Sequence, residues 1–231
     1  MKTIGLLGGM SWESTVTYYR LLNEGIRDRL GGLHSAKILM YSVDFAEIEE
    51  LMSSGRWDEA ARELGTAAEN LEHAGAELLM ICTNTLHKVA GRVAGTVSIP
   101  LIHIADATGR RAAEDGIKTI GLLGTRFTME EDFYRSILKE RFGMDVLIPA
   151  ESERRMIDDV IFKELCVGKI EPASRDAYRS VVDALHKQGA EAIILGCTEI
   201  SLLLKPGDTG IPLYDTTEIH AEQAIVEMLG A

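Results

Sequence analysis

Gly189-Ala-Glu-Ala-Ile-Ile-Leu-Gly-Cys197-Thr198-Glu199 decides the fold of this chain. A short apolar run ends in a cysteine, and two polar residues follow. The same pattern stands at Gly75-Ala-Glu-Leu-Leu-Met-Ile-Cys82-Thr83-Asn84-Thr85, an offset of 114 residues from Gly75 to Gly189. In that register Cys197 falls on Thr83, and Gly196 falls on Cys82. The chain therefore carries two related strand ends, and only one has cysteine at the matched position.

Two more anchors extend the repeat. Lys2-Thr-Ile-Gly-Leu-Leu-Gly8 recurs identically as Lys118-Thr-Ile-Gly-Leu-Leu-Gly124, and Ile99-Pro-Leu101 recurs as Ile211-Pro-Leu213. Between the anchors, short apolar runs alternate with segments of helical period. Strands are expected over residues 3–7, 37–43 and 78–82 in the first half. Helices are expected from the loop after Met10 to Leu30, stopped by Gly31-Gly32, and over 57–73. In the second half a strand is expected over 118–124, a helix over 130–142, a strand over 145–148, helices over 154–167 and 171–188, and the strand into Cys197. Strand–helix alternation implies parallel strands joined by right-handed crossovers. The expected architecture is α/β: two pseudo-symmetric Rossmann-like halves, each a parallel sheet flanked by helices, from an internal duplication. The division expected is 1–98 plus 210–231 for the first domain and 99–209 for the second. Ligands of open parallel sheets sit beyond the carboxyl ends of the strands. A cleft between the halves, lined by the segments after these strands, is thus the expected active site.

Composition excludes several classes of function. The 231 residues carry a net charge of −12, which argues against nucleic acid and anionic membrane as partners. No apolar run approaches the roughly 18 residues of a membrane span, and the N-terminal apolar core is too short for a secretory signal, so a cytoplasmic location is expected. Three cysteines, Cys82, Cys166 and Cys197, give an odd count without close pairing and argue against a disulfide framework. The six histidines lie far apart, and no metal-ligand spacing is present. Gly5-Leu-Leu-Gly8-Gly9 is not a dinucleotide fingerprint, and neither a phosphate-binding P-loop nor a Gly-x-Ser-x-Gly elbow occurs.

The chemistry is expected at the strand ends. A thiol facing a helix N-terminus can have its pKa lowered toward neutrality, and a thiolate there is a nucleophile or a base. Beside Cys197, Thr198 and Glu199 supply hydroxyl, carboxylate and backbone N–H groups; Asn84 and Thr85 do the same beside Thr83. Such groups can hold an α-carboxylate and stabilise charge growing on it. Glu199 also has an ordinary role available, as an acid at a helix start.

The duplicated halves, an Asn-Thr after the third strand and a Gly-Cys-Thr-Glu in the second half together resemble the aspartate/glutamate racemase superfamily. Its aspartate racemase branch is the nearer match, with members acting on L-aspartate and glutamate or on a broad range of amino acids. The resemblance covers essentially the whole chain. It implies an isomerase without cofactor, pyridoxal phosphate included, whose small-molecule substrate is an amino acid, aspartate, glutamate or a broader set. One group removes the α-proton and a second protonates the opposite face. The family's second-half cysteine maps onto Cys197, and its first-half cysteine position holds Thr83. That departure leaves three possibilities: Thr83 serves the second face, Cys82 turns into the site, or one-sided chemistry or binding is all that is left. The internal register favours Thr83 with Cys197. The resemblance further assigns Met10, Thr125 and Thr128 to the pocket and Lys163 to a substrate side-chain carboxylate. A solvated helical lysine is the ordinary reading of Lys163. His103 and Asp215 read as structural, and Arg56 as a surface residue. Relatives are commonly dimers, so a homodimer is the expectation that follows. Alternatives on the same scaffold are a decarboxylase, a hydantoin racemase or a maleate isomerase, and outside enzymes an amino-acid-binding module.

Overall fold

The computed structural model describes residues 1–230. Two compact units emerge: Met1–Ile104 together with the C-terminal segment from His220, and Ala105–Ile219.

The first unit is built from β1 (Ile4–Gly8), α1 (Trp12–Leu30), β2 (Ile38–Ser42), α2 (Phe45–Ser53), α3 (Trp57–His73) and β3 (Leu78–Ile81). A 3-10 helix (Thr85–Val89), α4 (Ala90–Ala94) and β4 (Leu101–Ile102) complete it, and the chain then enters α5 (Ile104–Glu114). Its four strands are all parallel, in the order β2-β1-β3-β4. The second unit repeats the plan. It runs through β5 (Thr119–Gly124), α6 (Arg126–Glu130), α7 (Asp132–Phe142), β6 (Asp145–Leu147) and α8 (Glu151–Lys163). A 3-10 turn (Leu165–Val167), α9 (Pro172–Lys187), β7 (Ala192–Gly196), α10 (Ile200–Leu203) and β8 (Leu213–Asp215) follow, before α11 (Thr216–Leu229). The order is β6-β5-β7-β8, again all parallel. Equal strand order in both sheets is the structural form of the sequence repeat.

Some boundaries differ from expectation, for identifiable reasons. The divisions fall at 104/105 and 219/220 rather than 98/99 and 209/210, because β4 pairs with β3 and β8 pairs with β7. A two- or three-residue strand buried beside its neighbour belongs to that neighbour's sheet, whatever the repeat suggests. The helix expected over 130–142 is α7, starting at Asp132, and a short helix that was not expected, α6, precedes it; Glu131, extended (φ −88°, ψ 157°), divides the two. The helix expected over 154–167 starts at Glu151 and ends at Lys163, with the 3-10 turn after it.

Burial explains why β1, β3, β5 and β7 are nearly continuous apolar runs. Every residue of β1, β3 and β7 is buried, as a parallel strand covered on both faces requires. Ile4, Leu6, Leu78, Met80 and Cys82 pack with Tyr18, Leu22 and Ile26 of α1 and with Ala224, Ile225 and Met228 of α11. In the second unit Leu123, Ile193 and Leu195 pack with Ile157 and Ile161 of α8 and Tyr178, Val182 and Leu185 of α9. One buried polar cluster interrupts the first core. The Tyr18 hydroxyl donates to His220 Nδ1 at 3.0 Å, and His220 Nε2–H donates to the Ile102 carbonyl at 2.8 Å. With both ring nitrogens occupied, the ring is neutral, and burial lowers its pKa to about 3.

Close approach accounts for the glycines that end the strands. A Cβ on Gly196 would lie 2.7 Å from the Leu123 carbonyl oxygen, and one on Gly124 would lie 2.8 Å from the Gly196 carbonyl oxygen. Gly9, at φ +92°, would place a Cβ 2.3 Å from the Val43 carbonyl oxygen. Among the described residues no helix is long and apolar enough to cross a membrane.

Two stability predictions follow from this packing. Gly196→Ala forces backbone apart and should cost about 1–3 kcal/mol, whereas Gly91→Ala in α4, with open space around it, should be neutral or stabilising by about 0.5–1 kcal/mol; urea denaturation midpoints measure both. His220 has a depressed native pKa, so between about 6.5, its unfolded value, and about 3 the unfolded chain binds a proton that the native chain does not. Stability should therefore fall as pH falls through that window, by about 1.4 kcal/mol per pH unit from this residue. Denaturation at pH 7 and pH 5 should show a shallower pH slope for His220→Asn than for the parent chain.

Candidate active site

The two strand ends present their polar residues by the period-two alternation of a strand. Along β3, Leu78, Met80 and Cys82 face one way and belong to the α1–α11 core. Thr83, one step on and past the end of β3, is outside that core cluster and half-buried. Cys82 is fully buried, and burial pushes its thiol far above the usual range. It is a core residue, and its burial disfavours the thiolate. Along β7 the matching alternation puts Cys197 with Ile193 and Leu195, at the rim of the α8–α9 core and half-buried. Cys197 and Thr83 thus occupy equivalent places in their respective units.

Cys197 comes with a partner. Its Sγ donates to Glu199 Oε2 at 2.9 Å, and the Thr198 hydroxyl donates to the same oxygen at 2.7 Å. Glu199 is almost wholly buried, at 6% exposure, so its hydrogen bonds are made away from bulk water. The expectation of a thiol acidified by a helix N-terminus is not met. Burial, followed by the neighbouring Glu199 charge, raises the Cys197 pKa well above its ordinary value. The helix that follows, α10, has only four residues and little dipole to offset these effects. The resting group is a thiol hydrogen-bonded to a proton acceptor.

The Thr83 side is held differently. Asn84 and Thr85 are buried and open the 3-10 helix. His87, inside that helix and buried, has its Nδ1 2.7 Å from the Thr83 carbonyl, while its Nε2 accepts from the Ile104 N–H at 3.2 Å. Burial, with His103 and His220 nearby, lowers the His87 pKa well below normal. The His103 ring packs on the His87 ring at a centroid distance of 4.6 Å. Three histidines distant in sequence are therefore neighbours, which spacing alone concealed. The ring nitrogens of His87 and His220 are already taken by backbone and Tyr18, so these rings do not offer a metal their lone pairs.

The loops after β1 and β5 repeat one capping device. Ser11 caps α1, accepting from Ser14 N at 3.3 Å, and Thr125 caps α6, accepting from Thr128 N at 3.4 Å. Ser11 and Thr125 are also 114 residues apart, a correspondence that the apolar anchors did not expose. Thr128 is fully buried with its methyl toward Gly196, and Met10 is buried beside the Ser11 cap. Lys163 is largely exposed and paired with Asp159 at 2.7 Å, the geometry of a solvated helical lysine. Asp215 accepts from Thr217 N at 2.8 Å at the start of α11, and Arg56 pairs with Glu50 at 2.9 Å on the surface. Cys166 sits in the 3-10 turn and packs against the same core as Cys197.

Comparison with known proteins agrees with this architecture. The family model for Asp/Glu/hydantoin racemase matches residues 7–224. Among curated proteins, a broad specificity amino-acid racemase of Bacillus subtilis (strain 168) is 22% identical over 171 residues, covering 73% of this chain and 72% of its own. Among solved structures, a Yersinia pestis protein provisionally described as an Asp/Glu racemase is 52% identical, with a TM-score of 0.94 over 99% of this chain and 100% of that one. An aspartate racemase homologue from Pyrococcus horikoshii OT3 is 33% identical, with a TM-score of 0.86 over the full length of both chains. With its doubled parallel-sheet plan and a match that runs through both strand ends, the chain belongs to the Asp/Glu/hydantoin racemase family.

Proposed function

We propose that the protein is a cofactor-independent amino-acid racemase in which Cys197 exchanges a proton with one face of the substrate Cα and Thr83 with the other. The observation that carries this is the Cys197–Glu199 hydrogen bond, which gives the thiol a built-in proton acceptor. Passage of the thiol proton toward Glu199 creates a thiolate able to remove the α-proton; Thr83 then donates to the opposite face. In the reverse sense Thr83 would have to act as base, and a hydroxyl is a far poorer one at neutral pH. Asn84, Thr85 and Thr198 supply amide and hydroxyl groups beside the two reacting positions, suited to an amino acid's carboxylate and ammonium. Glu199 works through Cys197 in this scheme.

Aspartate, glutamate or a broader set of polar amino acids is the substrate class, in line with the relatives described as Asp/Glu, aspartate and broad-specificity racemases. Lys163, exposed and paired with Asp159, adds no support to that choice. Enantiomers have equal free energy in water, so kcat/KM must be equal in the two directions. The difference between Thr83 and Cys197 can therefore appear only in the separate kcat and KM values.

The test is incubation of the purified protein with L- and D-aspartate and L- and D-glutamate in heavy water, following α-deuterium by NMR and chirality by chromatography. Deuterium with inversion is expected, falling by about 10²–10⁴-fold in Cys197→Ala. Deuterium with retained configuration would remove Thr83 from the mechanism and favour one-sided chemistry. No exchange with any of the four would remove acidic amino acids as substrates. The thiol itself gives an independent check. Because burial and Glu199 raise its pKa, alkylation of Cys197 by iodoacetamide should be slow at pH 7 and rise about tenfold per pH unit through pH 9. Glu199→Gln should speed alkylation at pH 8 by removing the opposing charge, while slowing racemisation by removing the proton acceptor.

A further inference from the structure

We propose that His87 is a positioning residue, which fixes the backbone at Thr83 and so aims the Thr83 hydroxyl. The proposal rests on the reading of Thr83 as the second acid–base group. Thr83 lies past the last residue of β3, Ile81, and before the first residue of the 3-10 helix, Thr85, so neither a sheet ladder nor a helix sets its carbonyl. A side chain sets it instead. The His87 ring stands 2.7 Å from that carbonyl through Nδ1, and its Nε2 stands 3.2 Å from the Ile104 N–H at the start of α5. A carbonyl can only accept and an amide N–H can only donate. The ring is therefore neutral with its hydrogen on Nδ1. His103 and His220 pack edge-on against it at centroid distances of 4.6 and 5.6 Å, which blocks rotation.

The second unit has no such clamp. The residue matching His87 in the repeat is Ser201, and its hydroxyl bonds to the Thr198 carbonyl, one residue beyond the catalytic position. The Cys197 carbonyl accepts only the backbone N–H of Ile200 among the backbone bonds of that turn. The histidine accompanies the weaker acid, where proton donation depends most on alignment.

Two arms test this. Long-range proton–nitrogen NMR of the imidazole rings should show His87 as the neutral Nδ1–H form from pH 8 to pH 6; an Nε2–H form or a charged ring overturns the proposal without any need for turnover. In heavy water with aspartate, the readout is the ratio of deuterium gained with inversion to deuterium gained with retention. His87→Asn places an amide donor where Nδ1 stands and should hold the ratio within about threefold. His87→Gln reaches only toward Ile104 and should lower it by about tenfold or more, with KM and Cys197 alkylation little changed. Equal ratios in the two variants would reduce His87 to a structural residue and sink the proposal. Thr83→Ala in parallel separates the two ideas. If it leaves the ratio unchanged, the role of Thr83 itself fails; if it abolishes inversion while both His87 variants retain it, only the positioning role fails.

Discussion

The alternation of side chains at the end of a doubly covered parallel strand is the constraint on which this site depends. At the end of β3 that alternation assigns Cys82 to the core and Thr83 to the polar side. At the end of β7 it assigns Gly196 to close backbone contact and Cys197 to the rim of the α8–α9 core, beside Glu199. A shift of one residue would bury the hydroxyl and expose the thiol. The glycines that end β5 and β7 hold the register, since a Cβ at either would collide with a neighbouring carbonyl.

Electrostatics then distinguishes the two strand-end positions. The Cys197 thiol donates to Glu199 in a largely dry setting, and neither burial nor the adjacent carboxylate favours a standing thiolate. A thiol held in reserve resists alkylation and oxidation, and it ionises only when its proton has somewhere to go. Among the described hydrogen bonds Thr83 has no such carboxylate partner; its carbonyl is held by the His87 ring instead. The family membership of the chain and the chemistry of the two strand ends are consistent with proton transfer at a carbon acid.

Much of the plan was legible in the sequence because its signals are local. Apolar runs closed by glycine mark β1, β5 and β7, and three repeated anchors reveal the duplication before any coordinates. The register that set Cys197 against Thr83 came from the same anchors. The short strands β4 and β8 were harder to place, since two or three residues carry too little pattern to reveal which sheet they join. The Ser11–Ser14 and Thr125–Thr128 caps are hydroxyl pairs three apart, a spacing that was visible but submerged in the apolar pattern.

The sequence by itself determined the α/β class, the twofold repeat, the family resemblance and the two positions where chemistry is expected, because each rests on periodicity or on residues adjacent in the chain. Only the tertiary structure decided that Cys82 is core, that burial and then Glu199 keep Cys197 a thiol, that Lys163 is solvated, and that His87, His103 and His220 meet. Those facts depend on burial and on contacts between residues up to 133 positions apart in the chain, from His87 to His220. Burial sets the cost of charge and contact sets the partner, and neither is written in the local order of residues.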